Sequence, residues 1–263
     1  MVAGVAGQPI AHSMSPVIHG AWIAAAGLDA VYRAFGPADH EAFAELVSEG
    51  RRGVLRGLNV TAPFKEQALA LADEVSPTAR ACGSANLLVF EAGRVRADST
   101  DGAGLMAALA EQAPALDVTG RAVAVMGAGG AARAAAAALK AAGAEVGILN
   151  RTVQRAQALA DDLGVAVIEV RALDEAALVV NALSVPPEID LEALRPDAVL
   201  MDMTYRPLLT RFLADGRARG LTTVDGLAML IGQARPSFQA LFGLATPVID
   251  VRAVALVTLG AAA

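Results

Sequence analysis

The chain has almost no cysteine: Cys82 stands alone among 263 residues. A disulfide framework within the chain and a metal site built on several thiolates are both excluded. Long apolar runs are missing too. Mean hydropathy is positive at +0.49, but much of the 55% apolar share is alanine. No stretch of about 18 residues escapes a charge, a proline or a turn signal, so no membrane-spanning helix is expected. Basic residues are not in excess: the net charge is −6 and the isoelectric point about 5.1, against a general nucleic-acid binder. The N-terminus has no basic segment followed by a long apolar core, and a cytoplasmic protein is expected. No zinc ligand set is visible. His12, His19 and His40 sit in unrelated contexts and are read as structural or surface residues.

What the chain does have is glycine and alanine in one ordered place. Val123-Ala124-Val125 reads as a buried strand, and Gly127-Ala128-Gly129-Gly130-Ala131-Ala132 turns from it into alanine-rich helix over 131–142, with Gly143 placed to stop it. Gly127 suits a tight turn, Gly129 lets backbone approach a pyrophosphate, and Ala132 permits close helix-to-strand packing. The helix N-terminus offers N–H groups to phosphate. After the next strand, Glu145–Leu149, an NAD site would place an acid; here stand Asn150-Arg151-Thr152 and, one helical turn on, Arg155. Two guanidiniums on one helix face, with Thr152 as N-cap, predict a site for a 2′-phosphate and hence NADP. The competing reading, glycine and alanine for packing and arginines for solvation, leaves the coincidence of strand, turn, helix and basic group unexplained.

The remainder reads as an alternating α/β chain long enough for two modest domains. Strands are expected at 2–6, 30–35, 57–60, 165–168, 178–180, 198–202 and 222–224, and a hairpin at 87–97. Helices are expected at 17–26, 39–48, 76–82, 103–111, 208–219, 227–242 and 251–259. Ser15 and Pro16 read as an N-cap and N1 pair. Ser13 and Ser15 point the same way, so that both cap the helix or both offer hydroxyls to a ligand, and local sequence does not decide between these. Pro63 suits the first turn of a helix that would also hold Lys65, beside a positive dipole end that disfavours the ammonium form and suits acid–base work. On position alone, a surface lysine paired with a glutamate stands ahead. Asp101 reads as a first-turn acid or as an ion-pair partner of Lys65.

Ser13-Met14-Ser15-Pro16, Asn59-Val60-Thr61 with Pro63-Phe64-Lys65, Asn86, Thr100-Asp101-Gly102, the glycine turn, Asn150-Arg151-Thr152 and Asp225-Gly226-Leu227 with Met229-Leu230 and Gln233 together resemble the shikimate dehydrogenase family, in order and spacing, over essentially the whole chain. The resemblance implies an α/β fold with an N-terminal α/β substrate domain (1–101, completed by 236–263), a Rossmann-type doubly wound NADP domain (102–235) and the active site in the cleft between them. It implies Lys65 as the acid–base residue with Asp101 beside it. Ser13, Ser15 and Tyr205 would bind the substrate carboxylate, and Thr61, Asn86, Asp101 and Gln233 the ring hydroxyls. Gly127, Ala128, Gly129, Gly130, Ala131, Asn150, Arg151, Thr152, Arg155 and Gly226 would bind NADP. The implied reaction is NADP-dependent reduction of 3-dehydroshikimate to shikimate in aromatic amino-acid and chorismate biosynthesis. The expected partner is that small molecule, with no nucleic acid and no membrane, the chain acting as monomer or homodimer. A quinate/shikimate dehydrogenase with relaxed substrate or NAD use, and a non-catalytic NADP-binding regulatory protein, stand as alternatives. Two departures are visible: Ser99 replaces a common asparagine, with shorter reach and one donor fewer, and the 181–187 loop lacks the glycine that the family often carries there.

Overall fold

Short apolar segments become strands of two sheets in the computed structural model, which describes residues 1–183 and 185–260. The first sheet contains β1 (Val2–Ala6), β2 (Val31–Phe35), β3 (Gly57–Val60), β4 (Glu74–Val75), β5 (Leu87–Glu91) and β6 (Arg94–Asp98), in the order β2-β1-β3-β5-β6-β4. The first three strands are mutually parallel; β5 runs antiparallel to both β3 and β6. The hairpin between β5 and β6 turns through Ala92 and Gly93, both at positive φ as a two-residue turn of matching twist requires. Reversal at β5 has a positional consequence. The ends of β1 and β3, the start of β5 and the end of β6 share one sheet edge, where Leu87 lies opposite both Asn59 and Asp98.

Helices α1 (Ser15–Ala25), α2 (His40–Arg51), α3 (Lys65–Ala70) and α4 (Pro77–Cys82) belong to this unit. Phe43 of α2 stacks on Phe64 at 4.8 Å in a core with Leu58, Leu88 and Phe90. His19 of α1, wholly buried, stacks on Tyr32 at 4.1 Å and meets Trp22 edge-on. Among the described residues neither ring nitrogen of His19 has a hydrogen-bond partner.

The second unit, Asp101–Gly232, holds β7 (Ala122–Met126), β8 (Glu145–Leu149), β9 (Ala166–Val167), β10 (Leu178–Asn181), β11 (Val199–Asp202) and β12 (Thr222–Val224). All are parallel, ordered β9-β8-β7-β10-β11-β12. Strand order reverses between β7 and β10, the doubly wound pattern. Helices α5 (Asp101–Gln112), α6 (Gly130–Ala141), α7 (Val153–Leu163) and α8 (Arg211–Ala218) complete it. Alternation along β7 serves two cores: Val123 and Val125 join Leu105 and Leu139 on one face, Ala124 and Met126 join Phe212 and Leu213 on the other. The last helices are α9 (Gly226–Phe242) and α10 (Val251–Leu259).

Several boundaries differ from expectation for local reasons. Ser15 is the first helical residue of α1 and Met14 its N-cap; the side chain that receives the Ser15 N–H is that of Ser13, at 3.3 Å. Pro63 lies outside α3, because Phe64 N–H donates to Thr61 O and closes a turn first. Thr210 fixes the start of α8 later than expected by accepting the Leu213 N–H. The first unit comprises Met1–Thr100 and resumes at Gln233, whose side chain bonds Asn86 and Thr100. Among the described residues no helix is long and apolar enough to cross a membrane.

Burial pushes the His19 imidazole down from 6.5 to about 3. Above pH 6.5 the ring is neutral in folded and unfolded chains alike. Below it the unfolded chain takes up a proton that the folded chain refuses until about pH 3, so stability is lost as pH falls, by at most about 1.4 kcal/mol per pH unit. His19→Phe keeps an aromatic plane with nothing to titrate. It is expected to flatten the urea midpoint between pH 6.5 and 4, and an unchanged slope would remove His19 as its source.

Candidate active site

The shared edge of the first sheet carries most of the residues expected to meet substrate. Thr61 follows β3 directly, its N–H bonded to Ala6 O, and Lys65 opens α3 with its carbonyl accepting the Ala85 N–H at 2.9 Å. Phe64, 1% exposed, is the apolar anchor of this turn. Asn86 then enters β5 with its backbone tied on both sides: Val60 N–H donates to its carbonyl, and its own N–H donates to Asp98 O. Its side chain is equally engaged. Thr100 N–H donates to Asn86 Oδ1 at 2.7 Å, while Asn86 Nδ2 donates to Thr100 Oγ1 at 3.0 Å and to Gln233 Oε1 at 3.1 Å.

Asn86 and Gln233 are thus in direct contact, and Lys65 is held by backbone to the residue before Asn86. Ser13 and Ser15 lie on the loop after β1 and the start of α1; the Ser13 hydroxyl, in accepting the Ser15 N–H, keeps its own proton to donate. Asp101 opens α5, one residue after Thr100, as a first-turn acid. Tyr205, half-buried, follows β11 in the second unit. Sequence reasoning gave no role to Tyr32, Asn59, Thr100 or Ser237, all hydrogen-bonded in the interior of the first unit. The available signal was an amide, Asn59, in the middle of an otherwise apolar strand.

In the second unit Gly127 follows β7 at φ +121, where a side chain would be strained, and a Cβ there would meet Ala182 O at 3.2 Å. Gly127 is therefore pressed against the loop after β10, at the point of strand reversal. Gly129 and Gly130 differ: a Cβ at either would meet no atom of the described residues within 4 Å, and the extended backbone of Gly129 suits any residue. Neither packing nor conformation asks for glycine there. Their effect is to leave backbone bare at the start of α6, which no side chain caps, so the geometry fits a pyrophosphate group. Ala128 and Ala131 flank them half-exposed, and Ala132 is buried in the core as close packing requires.

Arg151 and Arg155 do not share a helix face as expected, because α7 begins only at Val153; Arg151 precedes the N-cap and Arg155 lies in the first turn. Thr152 is the N-cap residue, but its side chain makes no capping bond. The turn is instead organised by Asn150 Nδ2 donating to Thr152 O at 2.9 Å. Both guanidiniums are exposed, and among the described residues neither has an acidic partner. Gly226 has a packing reason of its own, since a Cβ there would come within 2.6 Å of the Met203 and Thr204 backbone. In the 181–187 loop Asn181 Oδ1 accepts the Leu183 N–H, and Ser184 lies outside the described residues.

A doubly wound parallel sheet, a bare glycine turn at its reversal and a basic cluster after its second strand define a dinucleotide-binding enzyme of the dehydrogenase class. Comparison with known proteins narrows this. Residues 5–88 match the family model of the shikimate dehydrogenase substrate binding domain, and residues 108–186 that of shikimate / quinate 5-dehydrogenase. The chain is similar to the shikimate dehydrogenase (NADP(+)) of Caulobacter vibrioides, 54% identical over 99% of this chain and 96% of that one. Among solved structures it resembles the shikimate 5-dehydrogenase of Thermus thermophilus in complex with NADP(H) and shikimate, at 38% identity and TM-score 0.90, covering 97% and 98% of the two chains. The quinate dehydrogenase of Corynebacterium glutamicum in complex with NAD follows at 30% identity and TM-score 0.87, over 99% of both chains. The chain belongs to the shikimate dehydrogenase family.

Two outcomes test the dinucleotide residues. Gly129→Ala is expected to leave the thermal midpoint unchanged while weakening NADP measured by fluorescence titration, because the added methyl meets no described residue and would stand where a pyrophosphate approaches the backbone; unaltered affinity would detach the turn from binding. Arg151→Ala combined with Arg155→Ala should weaken NADP on the order of tenfold or more and NAD little. An equal loss for both would sink the 2′-phosphate assignment.

Proposed function

We infer that the chain is an NADP-dependent oxidoreductase that interconverts 3-dehydroshikimate and shikimate in aromatic amino-acid biosynthesis. The observation that carries this reading is the edge of the first sheet, where Lys65 is fixed beside a buried amide cluster able to grip a polyhydroxylated ring. Gly127 to Ala131 hold the pyrophosphate, Asn150 to Thr152 with Arg155 hold the adenosine 2′-phosphate, and Gly226 borders the cofactor. When bound, NADPH supplies the hydride that reduces the ketone carbon.

Lys65 delivers a proton from Nζ to the carbonyl oxygen as negative charge develops there, and takes it back in the oxidative direction. Asp101 is the acid assigned to keep the ammonium aimed during the transfer. Ser13 and Ser15 donate hydroxyl protons to the substrate carboxylate, with Tyr205 adding a phenol, while Thr61, Asn86, Asp101 and Gln233 bind the ring hydroxyls. The protein works in the cytoplasm as a monomer or homodimer. A broader quinate/shikimate activity, favoured by the likeness to the quinate dehydrogenase, is the second reading.

Initial rates with shikimate or quinate against NADP or NAD decide between these. Fast turnover confined to shikimate with NADP supports the first reading, a comparable quinate or NAD rate the second, and no turnover with NADP bound would leave a non-catalytic role. Lys65→Ala is expected to lower kcat by about 10² to 10⁴ with NADP affinity intact. Unchanged turnover would take Lys65 out of the mechanism.

A further inference from the structure

A chain of buried hydrogen bonds fixes the polarity of one substrate-facing amide. Thr100 N–H, a backbone group that can only donate, meets Asn86 at 2.7 Å, so the atom it meets is the amide oxygen. The other end of Asn86 is then the donor, and the Gln233 atom 3.1 Å from it must be the acceptor Oε1. Thr100 Oγ1 donates to the same Oε1 at 3.1 Å. With its oxygen engaged twice, Gln233 turns its Nε2 end away from the cluster.

A second set of bonds holds this arrangement from behind. Asn86 O, which can only accept, receives Asn59 Nδ2 at 3.1 Å, and the same nitrogen donates to Ser237 Oγ at 2.9 Å. Ser237 passes its proton to Gln233 O at 3.0 Å, fixing the backbone from which the Gln233 side chain springs. The remaining atom of Asn59, Oδ1, takes the Tyr32 hydroxyl at 2.8 Å. Burial pushes the Tyr32 phenol up, which keeps it a donor, and the His19 ring stacked on it holds its plane. Asn59 is 4% exposed and Ser237 wholly buried, so neither is placed to touch a ligand.

We propose that Tyr32, Asn59 and Ser237 are positioning residues that hold Gln233 with its amide N–H₂ presented to the substrate, so that this residue selects for an oxygen acceptor on the ring. The proposal rests on the reaction inferred above. Tyr32→Phe, which keeps the ring stack, and Ser237→Ala should each raise the KM for shikimate about three- to tenfold, as loss of one buried hydrogen bond implies. The KM for NADP should stay unchanged. Gln233→Glu, which presents an acceptor in place of the donor, should raise the shikimate KM tenfold or more. Ser237→Ala added to Gln233→Ala should give no further increase, because its effect travels through Gln233.

A fall in thermal midpoint with an unmoved shikimate KM would reduce Tyr32 and Ser237 to structural residues and overturn the proposal. So would full additivity in the double variant, or a tolerated Gln233→Glu. These results differ from failure of the underlying function, which appears as absence of shikimate turnover in the wild-type chain and removes both.

Discussion

The Thr100 amide hydrogen is the fixed point of the substrate unit. A side-chain amide can sit either way round in a symmetric slot, but a backbone N–H offers one polarity only. By capturing Asn86 Oδ1 it sets the direction of every bond that follows through Gln233. The arrangement depends on chain direction as well. Because β5 runs against β3, Asn86 at its start arrives at the edge where β3 ends, and there its backbone and side chain together bridge β3, β6 and α9. Leaving one of these buried groups unpaired would cost about 1 to 3 kcal/mol, so the cluster persists as a unit.

The second unit works by what it leaves out. Gly127 lacks a side chain because neighbouring backbone stands in the way, whereas Gly129 and Gly130 lack one with no atom of the described residues nearby. The contrast separates a glycine kept for folding from glycines that neither packing against described residues nor conformation requires. In the same way Arg51, Arg133 and Arg195 are absorbed in ion pairs with aspartates, while Arg151 and Arg155 stand exposed around the start of α7.

Much of this was legible in the residue order. Strand, glycine turn and alanine helix over 122–141 is local information, and so are the two arginines at 151 and 155. Helix starts were harder, since they turn on which neighbour reaches the free N–H first. Met14 takes the N-cap position expected of Ser15 while the Ser13 hydroxyl accepts the Ser15 N–H, and the Thr61–Phe64 turn excludes Pro63 from α3. The polar cluster was hidden for another reason. Tyr32, Asn59 and Ser237 are scattered along the chain, and only the sheet order and the return of α9 bring them together. Asn59 was visible as part of a motif, but its bonding partners were not.

The first unit is discontinuous: its sheet is encoded before Thr100, yet Gln233 and Ser237 come after the whole of the second unit. Synthesis runs from the N-terminus, and domains fold as their residues emerge. The dinucleotide unit, being continuous, has all its residues in hand while Asn59 and Asn86 still wait for theirs. On the ribosome, the part of the enzyme that begins the chain is the last to be finished.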